Sequence, residues 1–159
     1  QVWLVLDRGN AVDLTLFFLI GWSLWNRRNK MMMEKVETQK DIDRLMQELN
    51  YFHDYVILQI EYTSGTAILS DGMYPLASER NIIVKLGTYV NGIGKLIELH
   101  FKKVSRMDLI PIDERYDSLI VRASLNLNDG NIVFSDSDNT ENSQTLMIIS
   151  KELEIHFCS

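Results

Sequence analysis

The chain has little cysteine, histidine or proline, and no excess of positive charge. Cys158 is the only cysteine among 159 residues, so neither an intramolecular disulfide nor a thiolate metal cluster can form. That usage fits a reducing compartment, and a thiol next to the chain end is a poor nucleophile because ends are poorly ordered. The three histidines, His53, His100 and His156, contain no pair at H-x-x-x-H spacing. Net charge is −6 with a pI near 5.0, which argues against nonspecific phosphate binding. A Walker A loop, a G-x-G-x-x-G loop, a G-x-S-x-G elbow and an RNP-like aromatic strand motif are all missing, so neither a cofactor nor a nucleic-acid partner is expected. No apolar run reaches the ~20 residues of a spanning helix. The longest, AVDLTLFFLIGWSLW at 11–25, is shorter and is interrupted by Asp13.

What is present divides into two unlike parts. Residues 1–40 carry six Lys/Arg against four Asp/Glu, and the rest carries ten against eighteen. The acidic part either meets a basic partner or simply keeps the protein soluble. Arg27, Arg28 and Lys30 come directly after the apolar run, a flank that would hold that end in the cytoplasm. Three readings of this leader stand: an anchor through residues 12–25, a buried or partner-packed helix, or a segment foreign to the downstream domain. FFLIGWSLWNRRNK, at 17–30, resembles the connector before the RNase H region in plant non-LTR retroelement polyproteins. The expected division is a leader over 1–33, apolar and helical, then a domain over 34–159.

From residue 34 the patterns are regular. Thr38-Gln39-Lys40-Asp41 fits a capping box, and Ile42, Leu45, Met46 and Leu49 make one apolar stripe at helical spacing. The period then changes to two. Val56, Leu58, Ile60 and Tyr62 alternate with Tyr55, Ile57, Gln59 and Glu61, and both faces start apolar, which suggests a strand inside a sheet. Ser64-Gly65 ends it, and 71–75 reads as a turn. Ile82, Val84 and Leu86 begin another strand, Asn91-Gly92 marks a hairpin, and Ile97, Leu99 and Phe101 alternate with polar residues. Pro111 breaks the next segment. Leu119 to Leu127 alternates again, Asp129-Gly130 marks a second hairpin, 136–144 is a polar loop, and Leu153, Ile155 and Phe157 share a face. The fold class expected is α+β: an amphipathic helix packed on a mainly antiparallel curved sheet or small sandwich, with about six strands.

Phe52-His53-Asp54, the run Ile57-x-x-Ile60-Glu61-Tyr62-x-Ser64-Gly65, Gly72-Met73-x-Pro75, IELHF at 97–101, IP-DE-YDS-I at 110–120 and L-DG-I at 127–132 together resemble a group of small bacterial domains of uncharacterised function. These are sometimes grouped with immunity-like proteins of polymorphic toxin systems. The resemblance covers roughly 38–157. It implies a compact, mostly β cytosolic protein without an established activity.

Three chemical readings arise from these residues. His53-Asp54 could be half of a hydrolytic apparatus, but sequence neighbours on a strand point to opposite faces. The simpler reading has Asp54 satisfying backbone N–H groups at a helix-to-strand turn and His53 bonding across the sheet. His100 and His156 fall on the polar side of their strands near Glu98 and Glu154. If the strands pair, these four share one face that zinc could accept, although an exposed polar face is the blander account. DSDNTEN at 136–142 lacks the glycine and terminal glutamate of a calcium loop. Asp113, Glu114 and Asp117 around Arg115 read as local ion pairing. The expectation is a cytoplasmic, non-enzymatic protein-binding module, with a basic toxin as one kind of partner. Glu98, His100, Lys102, Asp136, Asp138 and Glu141 are its candidate contacts. The alternatives are a metal-dependent hydrolase using His53 and Asp54, or a membrane-tethered domain.

Overall fold

A computed structural model describes residues 5–6, 10–11, 32–111, 118–138 and 145–158. The contacts divide the chain into two units, one spanning 1–31 with residue 159 and the other 32–158. In the first, β1 (Val5–Leu6) pairs antiparallel with β2 (Asn10–Ala11). The apolar run at 12–25 lies outside the described residues. No helix among the described residues is long and apolar enough to cross a membrane.

Among its described residues the second unit is mostly antiparallel sheet with a single α-helix, in keeping with the alternation. It opens with β3 (Met32–Val36), a strand that overlaps the end of the expected leader. The helix α1 (Gln39–Glu48) comes next. Its capping box forms as expected: Asp41 N–H donates to Thr38 Oγ1 and Thr38 N–H donates to the Asp41 carboxylate. The Thr38 hydroxyl, which donates to Asp41 Oδ2 at 2.8 Å, and then the Thr38 N–H hold the Asp41 carboxyl below its ordinary value. Ile42, Leu45 and Met46 are buried, and Leu49 packs at the edge of the same core.

After α1 the chain turns through Asn50, Tyr51 and Phe52, all left-handed at φ 48°, 55° and 57°, and again at Asp54, φ 63°. Each such non-glycine residue costs roughly 1–2 kcal/mol. The turn is held by contacts on both sides. Phe52 is fully buried and packs edge-on against Tyr55 and Phe134. Ala123 N–H donates to Tyr51 O and Asp54 N–H donates to Ile120 O.

Six strands form the larger sheet, in the order β10-β4-β7-β8-β14-β3: β10 (Leu119–Ile120), β4 (Tyr55–Thr63), β7 (Asn81–Val90), β8 (Ile93–Lys102), β14 (Glu152–Cys158) and β3. β4 lies inside the sheet as expected, between β10 and β7, but it is flanked on both sides only at its start. Only Tyr55 and Val56 pair with the two-residue β10, and beyond the irregularity at Leu58 the strand pairs with β7 alone. The turn expected at 71–75 proves to be part of a small hairpin, β5 (Ala67–Leu69) with β6 (Gly72–Tyr74). Gly65, at φ 74°, lets the chain enter that hairpin. A Cβ there would sit 2.2 Å from Ser78 O.

The smaller sheet has the order β11-β12-β13-β9: β11 (Ser124–Asn128), β12 (Asn131–Ser135), β13 (Leu146–Ser150) and β9 (Arg106–Leu109). Both expected hairpin turns have the left-handed pair that their sequences favour, Asn91-Gly92 at φ 53° and 81° and Asp129-Gly130 at 48° and 69°. Of the chain segments that run from one sheet to the other, two lie side by side. β8 leads to β9 through Lys103, φ 54°, and β13 leads to β14 through Lys151. Ser105 N–H to Ile149 O and Lys151 N–H to Lys102 O tie the two crossings together. One apolar core includes residues of both sheets and of α1, with Phe101 and Phe134 in ring contact at 5.7 Å.

Candidate functional site: a charge lattice and an acid-walled groove

Ladder register fixes what lies on the outer face of the larger sheet. One row across the strands reads Glu61, Ile83, His100, Glu154, Lys35, and the next reads Gln59, Lys85, Glu98, His156, Met33. The condition set by the sequence is therefore met: β8 and β14 pair, and both histidines and both glutamates share one face. Their geometry differs from a metal centre. The imidazoles of His100 and His156 stack 4.0 Å apart with planes 2° from parallel. Nitrogen lone pairs lie in the ring plane, so parallel stacked rings do not aim them at one ion. Among the described residues, no three His, Cys, Asp or Glu are grouped to hold a metal.

The face is instead a network of short pairings. His100 Nε2 lies 2.9 Å from Glu98 Oε2, Lys85 Nζ lies 3.5 Å from Glu98 Oε1, and Lys102 Nζ lies 2.6 Å from Glu154 Oε1. The His100 bond, then Lys85, holds the Glu98 carboxyl below its usual value. Lys102 does the same for Glu154. His156 Nε2 is 3.9 Å from Glu154, beyond hydrogen-bond length, and is buried without a bonded partner. Of the candidate contacts, Glu98, His100 and Lys102 are thus assembled together but already engaged with neighbours. Cys158 borders this face, paired in register with Leu96, and burial raises its thiol, the opposite of nucleophile activation.

His53 and Asp54 do touch, Nδ1 to Oδ2 at 3.0 Å, because Asp54, left-handed at φ 63°, breaks the alternation that a strand would impose. Among the described residues this corrects both structural expectations: the Asp54 carboxylate meets its own neighbour, and His53 makes no bond across the sheet. Both side chains are at least half exposed. A hydrolytic pair would need a hydroxyl, and Ser64 lies just past the far end of the nine-residue β4, roughly 30 Å along the strand. Ser70 sits farther on, in the turn of the β5–β6 hairpin. The Thr88 hydroxyl is near but donates to Asp54 O. The pair therefore shapes the entry to β4, with no hydroxyl of Ser64 or Ser70 in reach.

The acidic segment is only partly accessible. Asp136 accepts from Thr145 N–H at 3.0 and 3.1 Å, and from the Thr145 hydroxyl. Glu141 lies outside the described residues, as do Asp113, Glu114, Arg115 and Asp117. Asp138 is exposed and pairs with Arg122 at 3.0 Å. The Arg122 guanidinium sits 4.1 Å above the ring of Tyr51, the middle residue of the left-handed turn.

These last residues belong to a groove that no sequence pattern announces. It holds about 370 Å³ between α1 and β11. Asp43 and Gln47 of α1 form one wall, Arg122, Asn126 and Asp138 another, and Met46, Tyr51 and Leu125 add apolar surface. Gln39 braces it, donating to Asp43 Oδ1 at 2.9 Å while its own oxygen accepts from Leu127 N–H on β11. The only local trace in the sequence is Gln39, Asp43 and Gln47 at i, i+4, i+8, one polar helix face. The opposite wall comes from residues about 80 positions away, beyond the reach of any local periodicity.

Compared with known proteins, the chain matches no family model, no curated protein and no solved structure.

Proposed function

We propose that residues 32–158 form a protein-recognition module whose contact site is the groove between α1 and β11 and whose partner is cationic. The groove carries this reading: two carboxylates, Asp43 and Asp138, border one concavity with amide side chains for orientation and an apolar floor. Arg122 neutralises one of the two, leaving a net negative site for an incoming Lys or Arg side chain. The unit around it carries twelve Lys/Arg against twenty Asp/Glu, so its long-range field attracts the same kind of partner. Left-handed backbone at Tyr51 fits the same picture, because residues held in costly conformations cluster at binding sites. In this reading the two sheets form a small sandwich and α1 lies along its open side. A basic toxin is one partner with the required charge, which agrees with the immunity-like resemblance.

The experiment is titration calorimetry of the full chain, with an arginine-rich peptide and with each cationic protein encoded beside it as probes. Asp43→Asn/Asp138→Asn should weaken binding at least about fivefold at low salt. Wild-type affinity should fall as salt rises. A double variant that binds as tightly as wild type would remove the groove from the reading.

A further inference from the structure

The hairpin β7–β8 is longer than its neighbours. Among the described residues, β4 begins pairing at Gly87 and the last β14 pair is at Leu96, so residues 88–95 pair only with one another. The hairpin's outer face carries exposed apolar surface. Tyr89 is 76% exposed and Leu96 50%, with Leu58 beside them. The same face holds two glycines in strand interiors, where glycine is unfavourable by roughly 0.5–1 kcal/mol against alanine. Gly87 is explained inside the chain, since Leu58 lies over it and a Cβ would meet Leu58 Cδ1 at 2.8 Å. Gly94 is not. Its φ is ordinary, and a Cβ there meets nothing within 4 Å.

We infer that the outer face of β7–β8 is a two-fold interface between two copies of this chain. The reason is the order of residues across the ladder. Outward-facing partners are Lys85 with Glu98, Gly87 with Leu96, and Tyr89 with Gly94. A two-fold axis running along the hairpin, between its strands, lays each residue of one copy over the ladder partner of the other. Lys85 then faces Glu98 and Tyr89 faces Gly94, while Leu96 meets the Leu58 side chain that lies over the other copy's Gly87. Two of these pairings are opposite in kind, cation to anion and large side chain to none, the third is apolar on apolar, and each occurs twice. Charge also favours a second copy over a cationic partner here. The acidic unit has a local face on which Lys85 already balances Glu98, so two such faces meet without net repulsion. The Gly94 vacancy is what a partner's Tyr89 ring would occupy. A hairpin face is small as interfaces go, so the dimer is a transient one.

Sedimentation of the full chain between about 1 and 300 µM tests this, with self-association expected at the upper end. Gly94→Val and Tyr89→Ala should each raise the dissociation constant about tenfold or more. Gly94→Val should leave the melting temperature unchanged or higher, since valine suits a strand and meets nothing in the monomer, which separates lost association from lost folding. Lys85→Glu alone should also prevent dimerisation, and Lys85→Glu with Glu98→Lys should restore it, because the axis keeps the swapped charges together. A chain that is monomeric throughout overturns the inference, as does a dimer indifferent to Gly94→Val and Lys85→Glu. Neither result bears on the α1–β11 groove.

Discussion

On the inner face of β7, β8 and β14, Ile82, Val84, Leu86, Ile97, Leu99, Phe101, Leu153 and Ile155 are all at most 3% exposed. One residue over on the same strands, Lys85, Glu98, His100, Lys102, Glu154 and His156 lie on the outer face at 16–39% side-chain exposure. The two faces share one backbone and one register, yet different physics holds each together. The inner face is held by exclusion of water and by shape, which are insensitive to the order of the residues so long as volume is kept. The outer face depends on which residue stands beside which. Moving the β8–β14 ladder by two positions would leave the inner face apolar but would change every outer pairing, and in one direction it would set Glu154 opposite Glu98 and away from Lys102.

The sharpest way to break the comparison is to injure each face by one side chain. Phe101→Ala should cost about 3–5 kcal/mol, because Phe101 is fully buried against Phe134 and the void cannot be closed by a flexible neighbour. Chemical denaturation would measure it, and a loss under about 1 kcal/mol would show that the two sheets do not share one core. Lys102→Ala should cost about 1 kcal/mol at neutral pH, since it leaves the Glu154 carboxylate, 16% exposed, without its 2.6 Å partner. Raising salt should shrink that loss and leave the Phe101→Ala loss unchanged. Equal salt responses would mean that the outer face is not held by charge.

How much of the molecule is legible in its sequence divides in the same way. The inner face is legible because strand alternation fixes its members without knowledge of partners: Ile82 to Leu86 and Ile97 to Phe101 need only period two. The helix and its cap are legible because Thr38 and Asp41 act within one turn. The hairpins are legible because Asn91-Gly92 and Asp129-Gly130 satisfy a backbone requirement on the spot. Non-local information is missing. Nothing in residues 55–63 shows that β10 covers only their first two positions. Nothing near Asp43 shows that Arg122 and Asp138 face it. The short β9 at Arg106–Leu109 carries too few residues to display a period, and β3 lies beside an apolar leader that obscures it. The outer lattice is half legible: alternation places the histidines and glutamates on one face, but ring stacking depends on the diagonal offset between paired strands.

The smallest effect concerns protons. Glu98 is held below its ordinary value of 4.5 by His100 and then Lys85. As pH falls, the unfolded chain therefore takes up this proton before the folded chain does. The stabilisation is present above about pH 4.5 and is lost as pH falls through the lower folded value. Glu98→Gln removes that contribution and leaves Glu154, Glu152 and Asp41 to titrate as before. The melting curves of wild type and variant should lie apart near pH 6 and converge near about pH 3, by an amount on the order of 2 °C. Parallel curves across that range would mean that the Glu98 carboxylate gains nothing from its place between Lys85 and His100, and that the outer face is ordered by packing of its side-chain stems alone.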